Sequence, residues 1–261
     1  MRNWKRYQFQ KLKFLDIIIK GGINHPLFNL KLNEMVVTKL KEKILEPTQL
    51  IEPVKTFAIS FGDAHWLTRD DNFIESSVEE AELIIFPGGA DIDPALYKEK
   101  KGSHTYFYPH IDERQLSYYK PYIGKKKFFG ICRGLQLLTA MAGGKLVQHS
   151  NHPYFHRITT YDGKVLGTNS LHHQQAYLLD MPKENYQLLA WAENLSHTHL
   201  DGDDEEYPTG EDYKEPEVVY YPTIGAMGIQ GHPEMGGMPQ ETRDWLIEQI
   251  KGHLFYEKIK V

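Results

Sequence analysis

The residues best placed to do chemistry surround Cys132, the only cysteine among the 261 residues of the chain. The apolar run Lys127–Ile131 before it predicts a strand, and the run 135–141 after it predicts a helix. Gly130 and Gly134 flank the cysteine, and residues without a Cβ let the chain pass closely on both sides of a strained turn. This is the pattern of a nucleophile elbow with cysteine in place of serine. The helix N-terminus beside the sulfur favours a thiolate, so the pattern predicts a nucleophilic cysteine.

A second segment supplies the partners that a thiol nucleophile requires. Residues 226–231 (AMGIQG) predict the end of a buried strand, and His232 and Glu234 follow it. In an extended chain, positions i and i+2 point to the same side, so both side chains can face one cleft. The imidazole is then placed to act as general base and the carboxylate to orient it, as in a catalytic triad.

A third segment has the composition of an anion-stabilising loop. A short apolar strand predicted at 82–86 ends in Pro87-Gly88-Gly89. An ordinary turn is the simpler interpretation, because proline and glycine are common turn residues. The functional interpretation is an oxyanion hole, in which backbone N–H groups of this loop and of Arg133 meet the charge that develops on an attacked carbonyl oxygen.

Together, the three segments resemble the class I glutamine amidotransferases. The residues that carry the resemblance are 130–136 (GICRGLQ), 86–89 (FPGG) and 228–234 (GIQGHPE). Within that family the chain is most similar to the γ-glutamyl hydrolase branch, which includes γ-glutamyl-γ-aminobutyrate hydrolase, because of segment 169–174 (NSLHHQ) and Arg133. The resemblance extends from about residue 14 to the C-terminal helix.

The resemblance implies a reaction and a role for each matching residue. Cys132 would attack the γ-carbonyl of a glutamine-like group and form a thioester; His232 would protonate the leaving amine and then activate water, and Glu234 would fix His232. The oxyanion donors that it implies are the backbone N–H groups of Gly88, Gly89 and Arg133. The substrate-binding residues that it implies are Gln136, Asn169, Ser170, His172 and His173.

Two departures from the family pattern bear on the substrate and on partners. The position before the triad histidine is often aromatic in this family, and here it is Gly231, which predicts open volume near the site. After the glutamate, ammonia-supplying subunits usually carry serine, and here the residue is Met235. We therefore expect a free-standing hydrolase of a small γ-glutamyl substrate, with a glutaminase subunit bound to a separate synthetase as the alternative. A homo-oligomer also stays open.

Composition limits the remaining classes of function. The net charge of −5 argues against nucleic-acid binding, and 41% hydrophobic with 25% charged residues is typical of a globular protein. A single cysteine excludes an internal disulfide framework and is typical of a reducing compartment. With no signal peptide and no apolar run of membrane-spanning length, we expect a cytoplasmic protein without membrane association. We expect one domain over residues 1–261, with an acidic insertion at about 200–217.

The order of the predicted elements indicates the fold class. Strands that alternate with helices predict an open, mostly parallel, doubly wound α/β sheet with flanking helices, of the flavodoxin-like kind. In such a sheet the site lies beyond the carboxyl ends of the strands. Further predicted strands lie at 14–19, 54–60, 188–193 and 217–221, with a hairpin at 157–166 around Asp162-Gly163. The predicted helical segments are 33–46, 77–81, 111–122 and 240–255.

Charged and histidine-rich segments were weighed as further sites. Residues 201–217 hold nine acidic residues against one lysine, which predicts a solvated, mobile loop, with a lid or a docking site as the alternative. The histidine pairs at 152 and 156, 172 and 173, and 197 and 199 match neither a cysteine-containing zinc pattern nor a His-Glu-x-x-His helix. No glycine-rich nucleotide loop is present. We therefore expect no metal and no cofactor.

Two rival functions remain beside the cysteine hydrolase. A binding subunit that keeps the fold without turnover is motivated by Gly231 and the acidic segment, but the intact triad residues argue against it. An α/β-hydrolase with a cysteine elbow would place its acid before the histidine by a loop. Here Glu234 follows His232 by two residues, which favours the amidotransferase fold.

Overall fold

The structure, a computed structural model, describes residues 48–60, 62–193 and 195–260. The strand predicted at 14–19 and the helix predicted at 33–46 lie outside the described residues. The chain divides into two units, Glu52–Phe255 and a second that joins Met1–Ile51 to Tyr256–Val261. In the described part of the second unit, Leu50 forms an antiparallel bridge with Ile259, beside a 3₁₀ turn at Tyr256–Lys258.

The larger unit is built around a sheet to which nine of the described strands contribute. In chain order these are β1 (Val54–Ala58), β2 (Phe73–Glu75), β3 (Leu83–Phe86), β4 (Lys127–Ile131), β7 (Phe155–Thr160), β8 (Val165–Asn169), β10 (Gln187–Glu193), β12 (Lys214–Tyr221) and β13 (Ala226–Ile229). The short strands β5 (Lys145–Val147) and β9 (Gln175–Tyr177) pair with each other, as do β6 (His149–Ser150) and β11 (His199–Leu200).

The sheet is mixed, with its parallel strands in one continuous block. The spatial order is β2-β1-β3-β4-β13-β12-β10-β7-β8. The first five of these strands are parallel to their neighbours, and pairing from β13 onward is antiparallel. The predicted α/β class, a central sheet with flanking helices, is thereby confirmed.

The described helices are α1 (Pro109–Tyr119), α2 (Arg133–Met141) and α3 (Gln240–Leu254). In α2, Leu135, Leu137 and Leu138 are all fully buried, because this helix packs against β3, β4 and β13 on one side and β5 and β9 on another. Each such side chain contributes about 1.5–3 kcal/mol by leaving water. Among the helices within the described residues, none is both long and apolar enough to cross a membrane.

The register of the parallel block decides where the functional loops meet. Phe86 of β3 lies opposite Gly130 of β4, and Ile131 lies opposite Ile229 of β13. The three strands therefore end at the same edge of the sheet. The loop at 87–89, the turn at Cys132 and the segment after β13 leave from that edge side by side, as expected for an open parallel sheet.

Several predicted elements agree closely with the structure. The strand Lys127–Ile131 has the predicted bounds, and the hairpin of β7 and β8 turns at Gly163, whose φ is +86°. The link predicted as helical at 77–81 is a single turn, with Ala81 N–H donating to Ser77 O at 2.9 Å. The two- and three-residue strands were not predicted, because such short polar runs carry no periodicity.

The acidic segment 201–217 is more ordered than a solvated loop. Asp203, Asp204, Glu205 and Glu206 are exposed, as predicted. Tyr207 and Tyr213 are instead buried, and the Tyr207 ring stacks on Tyr177 with ring centres 4.0 Å apart. Glu215 and Glu217 lie in β12 and are fully buried. The prediction of a solvated loop is therefore wrong for the two tyrosines and for the glutamates of β12, and residues 208, 210, 211 and 212 are exposed as predicted.

Candidate active site

Cys132 occupies the sharp turn between β4 and α2. Its φ of +50° and ψ of −106° are a strained conformation for a residue with a side chain. A Cβ at Gly130 would lie 2.3 Å from the carbonyl carbon of Gly134, and one at Gly134 would lie 2.3 Å from the carbonyl oxygen of Phe86. Because real Cβ atoms do not approach so closely, this turn requires both glycines. The turn thus has the strand-to-helix geometry of the predicted elbow.

His232 and Glu234 come to the same place from the end of β13. His232 Nδ1 lies 2.7 Å from Glu234 Oε1, and the imidazole is close enough to the Cys132 side chain for the two to interact electrostatically. Gly88 closes the group, since a Cβ there would lie 2.9 Å from His232 Cε1 and 3.7 Å from Cys132 Cβ. Cys132, His232, Glu234 and Gly88 are therefore neighbours in the structure.

The environment of His232 favours its protonated form. Burial opposes a charge on the imidazole, but hydrogen bonds and charge interactions with Cys132 and Glu234 outweigh it and raise the pKa of His232 to about 10. The protonated imidazole lies beside the sulfur of Cys132 at the N-terminus of α2. The site can thus hold a nucleophile and a proton donor at the same time.

Asn169 fixes the main chain of His232. The Asn169 side chain accepts from His232 N–H at 2.8 Å and donates to His232 O at 3.0 Å. Because both bonds go to the main chain of one residue, the Asn169 amide fixes the backbone that carries the imidazole. Gln230, two residues before His232, directs its Nε2 towards Cys132 Sγ at 3.7 Å. Glu234 lies in a turn after β13, so it contacts His232 through that turn and not through the extended chain that the spacing predicts. Gln230 was not among the predicted site residues.

Arg133 joins the elbow to α1. Its guanidinium is fully buried and hydrogen-bonds Asp112 and Gln115. A Cβ at Gly89 would lie 3.2 Å from Arg133 Cδ, so the loop after β3 packs on this side chain. As the first residue of α2, Arg133 has a backbone N–H without an acceptor in its own helix. Its side chain therefore holds the elbow in place while its N–H stays available at the turn.

The expectation of open volume at Gly231 is wrong. A Cβ there would lie 2.5 Å from Thr168 Oγ1, 2.8 Å from Asn169 O and 3.0 Å from Met238 Cε. The space is filled by β8 and by the segment before α3, so this backbone admits no side chain at that position. Gly231 is explained by close packing, not by the shape of a substrate.

The region of the elbow also identifies the family. A family model described as Peptidase C26 matches residues 29–161, just over half of the chain. The chain belongs to the Peptidase C26 family. The match includes the loop after β3 and the whole elbow, and it ends before His232 and Glu234.

Curated relatives of this Peptidase C26 protein match shorter stretches. The "putative glutamine amidotransferase-like protein YvdE" of Lactococcus lactis is 30% identical in an alignment of 125 residues that covers 39% of this chain and 53% of the relative. Protein NtpR of Enterococcus hirae is 27% identical in an alignment of 129 residues that covers 37% of this chain and 52% of the relative. The chain thus spans about half the length of the curated relatives it matches.

A solved structure shares the fold. It is described as a "putative gmp synthase subunit a protein" from Thermoplasma acidophilum, with a TM-score of 0.52 and 14% identity over 79% of this chain and 96% of that chain. At this identity the likeness concerns the fold alone.

The residues predicted to bind substrate in this Peptidase C26 protein differ in their exposure to solvent. Gln136 Nε2 donates to Gln174 O at 2.8 Å, which joins α2 to segment 169–174. His173 is partly exposed and its Nε2 lies 3.1 Å from Oδ1 of Asp91, in the loop that follows Gly89. Ser170 and His172 are instead buried. Sequence order alone does not separate the two histidines in this way.

His172 belongs to a buried polar cluster. Its side chain, with those of His152 and Glu217, forms a group in the described residues that could hold a metal ion. Burial lowers the pKa of His172 to about 3, so this imidazole is neutral at ordinary pH. The prediction of no metal ligand among the histidines followed from their spacing, which matches no local motif.

Proposed function

We propose that this protein hydrolyses the γ-glutamyl amide bond of a small substrate through a γ-glutamyl thioester on Cys132. One observation carries the proposal: Cys132 stands at positive φ on a strand-to-helix turn, beside His232, whose Nδ1 lies 2.7 Å from Glu234 Oε1. Nucleophile, base and orienter in contact are the arrangement used for acyl transfer.

In the first step the sulfur of Cys132 attacks the γ-carbonyl carbon. Negative charge moves to the carbonyl oxygen, for which the backbone N–H groups of Gly88, Gly89 and Arg133 are the proposed donors. His232 gives its proton to the amide nitrogen, the carbon–nitrogen bond breaks and the amine leaves. The γ-glutamyl group is now a thioester of Cys132.

In the second step water takes the place of the amine. His232, neutral after giving up its proton, accepts a proton from a water molecule as that water attacks the thioester carbon. The carbon–sulfur bond then breaks, glutamate leaves and the thiolate–imidazolium pair is restored. Glu234 keeps the imidazole oriented and stabilises its charge in both steps.

A free-standing hydrolase is the form of this function that we favour. Met235 replaces the serine usual in ammonia-supplying subunits, and segment 169–174 with Arg133 resembles the γ-glutamyl hydrolase branch. The second candidate is a glutaminase that passes ammonia to a separate synthetase. The fold likeness to a protein described as a GMP synthase subunit motivates it.

The test is glutamate release by the purified chain alone. Substrates are glutamine and a panel of γ-glutamyl amines and γ-glutamyl amino acids, and Cys132→Ala is the control. We expect release from at least one γ-glutamyl conjugate and none from the variant. Steady release by Cys132→Ala would refute the assignment of the nucleophile.

A second readout separates the two candidate functions. A glutamine-like electrophile should alkylate Cys132, the only thiol of the chain, far faster than it alkylates free cysteine. Rapid alkylation without turnover of any substrate would favour the glutaminase subunit. Slow alkylation without turnover would favour a non-catalytic binding role and refute both enzymes.

A further inference from the structure

A buried cluster of histidines and glutamates lies beneath segment 169–174. His152 comes from the loop after β6, His156 from β7, His172 from that segment and Glu217 from β12. The side chains of His152, His156 and Glu217 are at most 4% exposed, and His172 is 9% exposed. Burying so many titratable groups together is costly unless each is paired. The cluster is not part of the mechanism proposed above.

Two of these imidazoles direct a nitrogen lone pair towards the centre of the cluster. His172 Nδ1 lies 2.9 Å from Gln174 O, and because a carbonyl can only accept, the proton must be on Nδ1. His172 Nε2 is then a bare acceptor, and it is buried with no hydrogen-bond partner among the described residues. His152 Nδ1 lies 2.8 Å from Glu215 Oε2. A histidine whose outer nitrogen is bonded to a carbonyl or a carboxylate is oriented as a metal ligand is.

The inward atoms are spaced as ligands of one ion. His152 Nε2 lies 3.3 Å from His156 Nε2 and 3.2 Å from Glu217 Oε1, and these last two are 2.9 Å apart. Tetrahedral ligands about 2.0–2.1 Å from zinc are about 3.3 Å from one another. His172 also places a ligand atom within 4.8 Å of those of His152 and Glu217.

The buried carboxylates of the cluster also favour a bound cation. Glu215 and Glu217 bring two carboxylates into the interior, and Glu217 Oε2 has no hydrogen-bond partner among the described residues. Without a metal, His152 contacts both carboxylates, with Nδ1 2.8 Å from Glu215 Oε2 and Nε2 3.2 Å from Glu217 Oε1. A divalent cation bound between His152 Nε2 and Glu217 Oε1 would balance the same negative charge.

We propose that His152, His156, His172 and Glu217 bind one divalent transition-metal ion of the zinc class, with Glu215 as the outer partner of His152. Three imidazoles and a carboxylate suit zinc, and four protein ligands in a closed, buried site indicate a structural ion. The ion joins β7 and β12 to segment 169–174. It therefore supports Asn169, the residue that positions His232.

The direct test is metal binding by the purified full-length chain. The protein is stripped with a chelator, dialysed and titrated with Zn²⁺, and separately with Co²⁺ as a spectroscopic probe. We expect one equivalent of Zn²⁺, and visible Co²⁺ absorption of the intense, four-coordinate type. Failure to retain Zn²⁺ together with six-coordinate, weakly absorbing Co²⁺ would overturn the proposal and leave an ion-pair cluster without metal.

Zn²⁺ binding by substituted proteins tests whether the ion binds at these residues. Glu217→Gln and His172→Gln should weaken Zn²⁺ binding more than about 100-fold, and Glu215→Gln about 10- to 100-fold, as expected for an outer partner. The matched control is His104→Gln, because His104 is an exposed histidine that stacks on His149 with ring centres 4.0 Å apart. It should bind Zn²⁺ like the parent.

The reverse pattern would overturn the assignment. Unchanged binding in Glu217→Gln and His172→Gln, or loss of binding in His104→Gln, would place the ion at the exposed histidines. Circular dichroism of each variant reports whether it folds. X-ray absorption of the zinc-loaded parent counts nitrogen and oxygen ligands without any variant, so a variant that does not fold leaves the test intact.

Discussion

At the scale of single residues, His232 and Glu234 have different proposed roles. His232 touches both the Cys132 side chain and Glu234, whereas Glu234 acts on the sulfur only through the imidazole. A base moves protons in both chemical steps, and an orienter adjusts the base. The two side chains should therefore differ in the cost of their removal.

The first prediction concerns that order. His232→Ala should lower kcat by about 10⁶-fold and Glu234→Gln by about 10⁴-fold, the losses typical of base and orienter in other triads. Steady-state glutamate release with the best substrate measures both, and circular dichroism verifies the fold. If Glu234→Gln were the more damaging change, the two roles would have to be exchanged.

The second prediction concerns pH. Burial opposes the charge on His232, but its bonds to Cys132 and Glu234 raise its pKa to about 10, against about 6.5 in an unfolded chain. The folded state thus binds the proton more tightly, and the resulting stability is fully present below about pH 6.5 and is lost as the pH rises towards 10. Urea unfolding of the parent and of His232→Gln over this range should give a stability difference that shrinks with increasing pH. A difference that grows with pH would contradict the raised pKa.

At the scale of elements, the site depends on contacts between neighbouring segments. Segment 169–174 reaches α2 through the Gln136–Gln174 bond and reaches the end of β13 through Asn169. The elbow is held from the other side by the buried Arg133–Asp112 pair. Substitutions at these contacts should change catalysis by moving the triad, without touching the substrate.

The third prediction separates positioning from binding at Asn169. Asn169→Ala removes both bonds to the His232 main chain, so kcat should fall about 10- to 100-fold while KM changes little. Asn169→Asp keeps the acceptor for His232 N–H and should retain more activity than the alanine variant. A large rise in KM at unchanged kcat would instead assign Asn169 to the substrate.

The fourth prediction concerns the elbow itself. Alanine is normally favoured over glycine within a helix by about 1 kcal/mol, but a Cβ at Gly134 would lie 2.3 Å from Phe86 O. We expect Gly134→Ala to lower the free energy of unfolding by about 1–3 kcal/mol or more in urea titrations. Gly236→Ala is the matched control, because nothing lies within 4 Å of its Cβ. Equal effects of the two substitutions would show that the close packing at the elbow is not required.

At the scale of the whole molecule, the parts that sequence could predict are those encoded locally. The strand, the turn and the helix around Cys132 follow from consecutive residues, and so does the His232–Glu234 spacing. The buried histidine cluster does not, because its members come from the loop after β6, from β7, from segment 169–174 and from β12, which meet only in the folded chain. Gly231 was misjudged for the same reason, since Thr168 and Met238 fill its space from distant elements.

The central claim is that Cys132 carries the γ-glutamyl group during turnover. The most direct measurement is mass spectrometry of the intact protein, acid-quenched during turnover of a slow γ-glutamyl substrate, followed by peptide mapping. The account predicts a γ-glutamyl adduct on the peptide that contains Cys132, released by hydroxylamine as a thioester is. Accumulation of glutamate with no adduct on Cys132, or with an adduct on another residue, would contradict it.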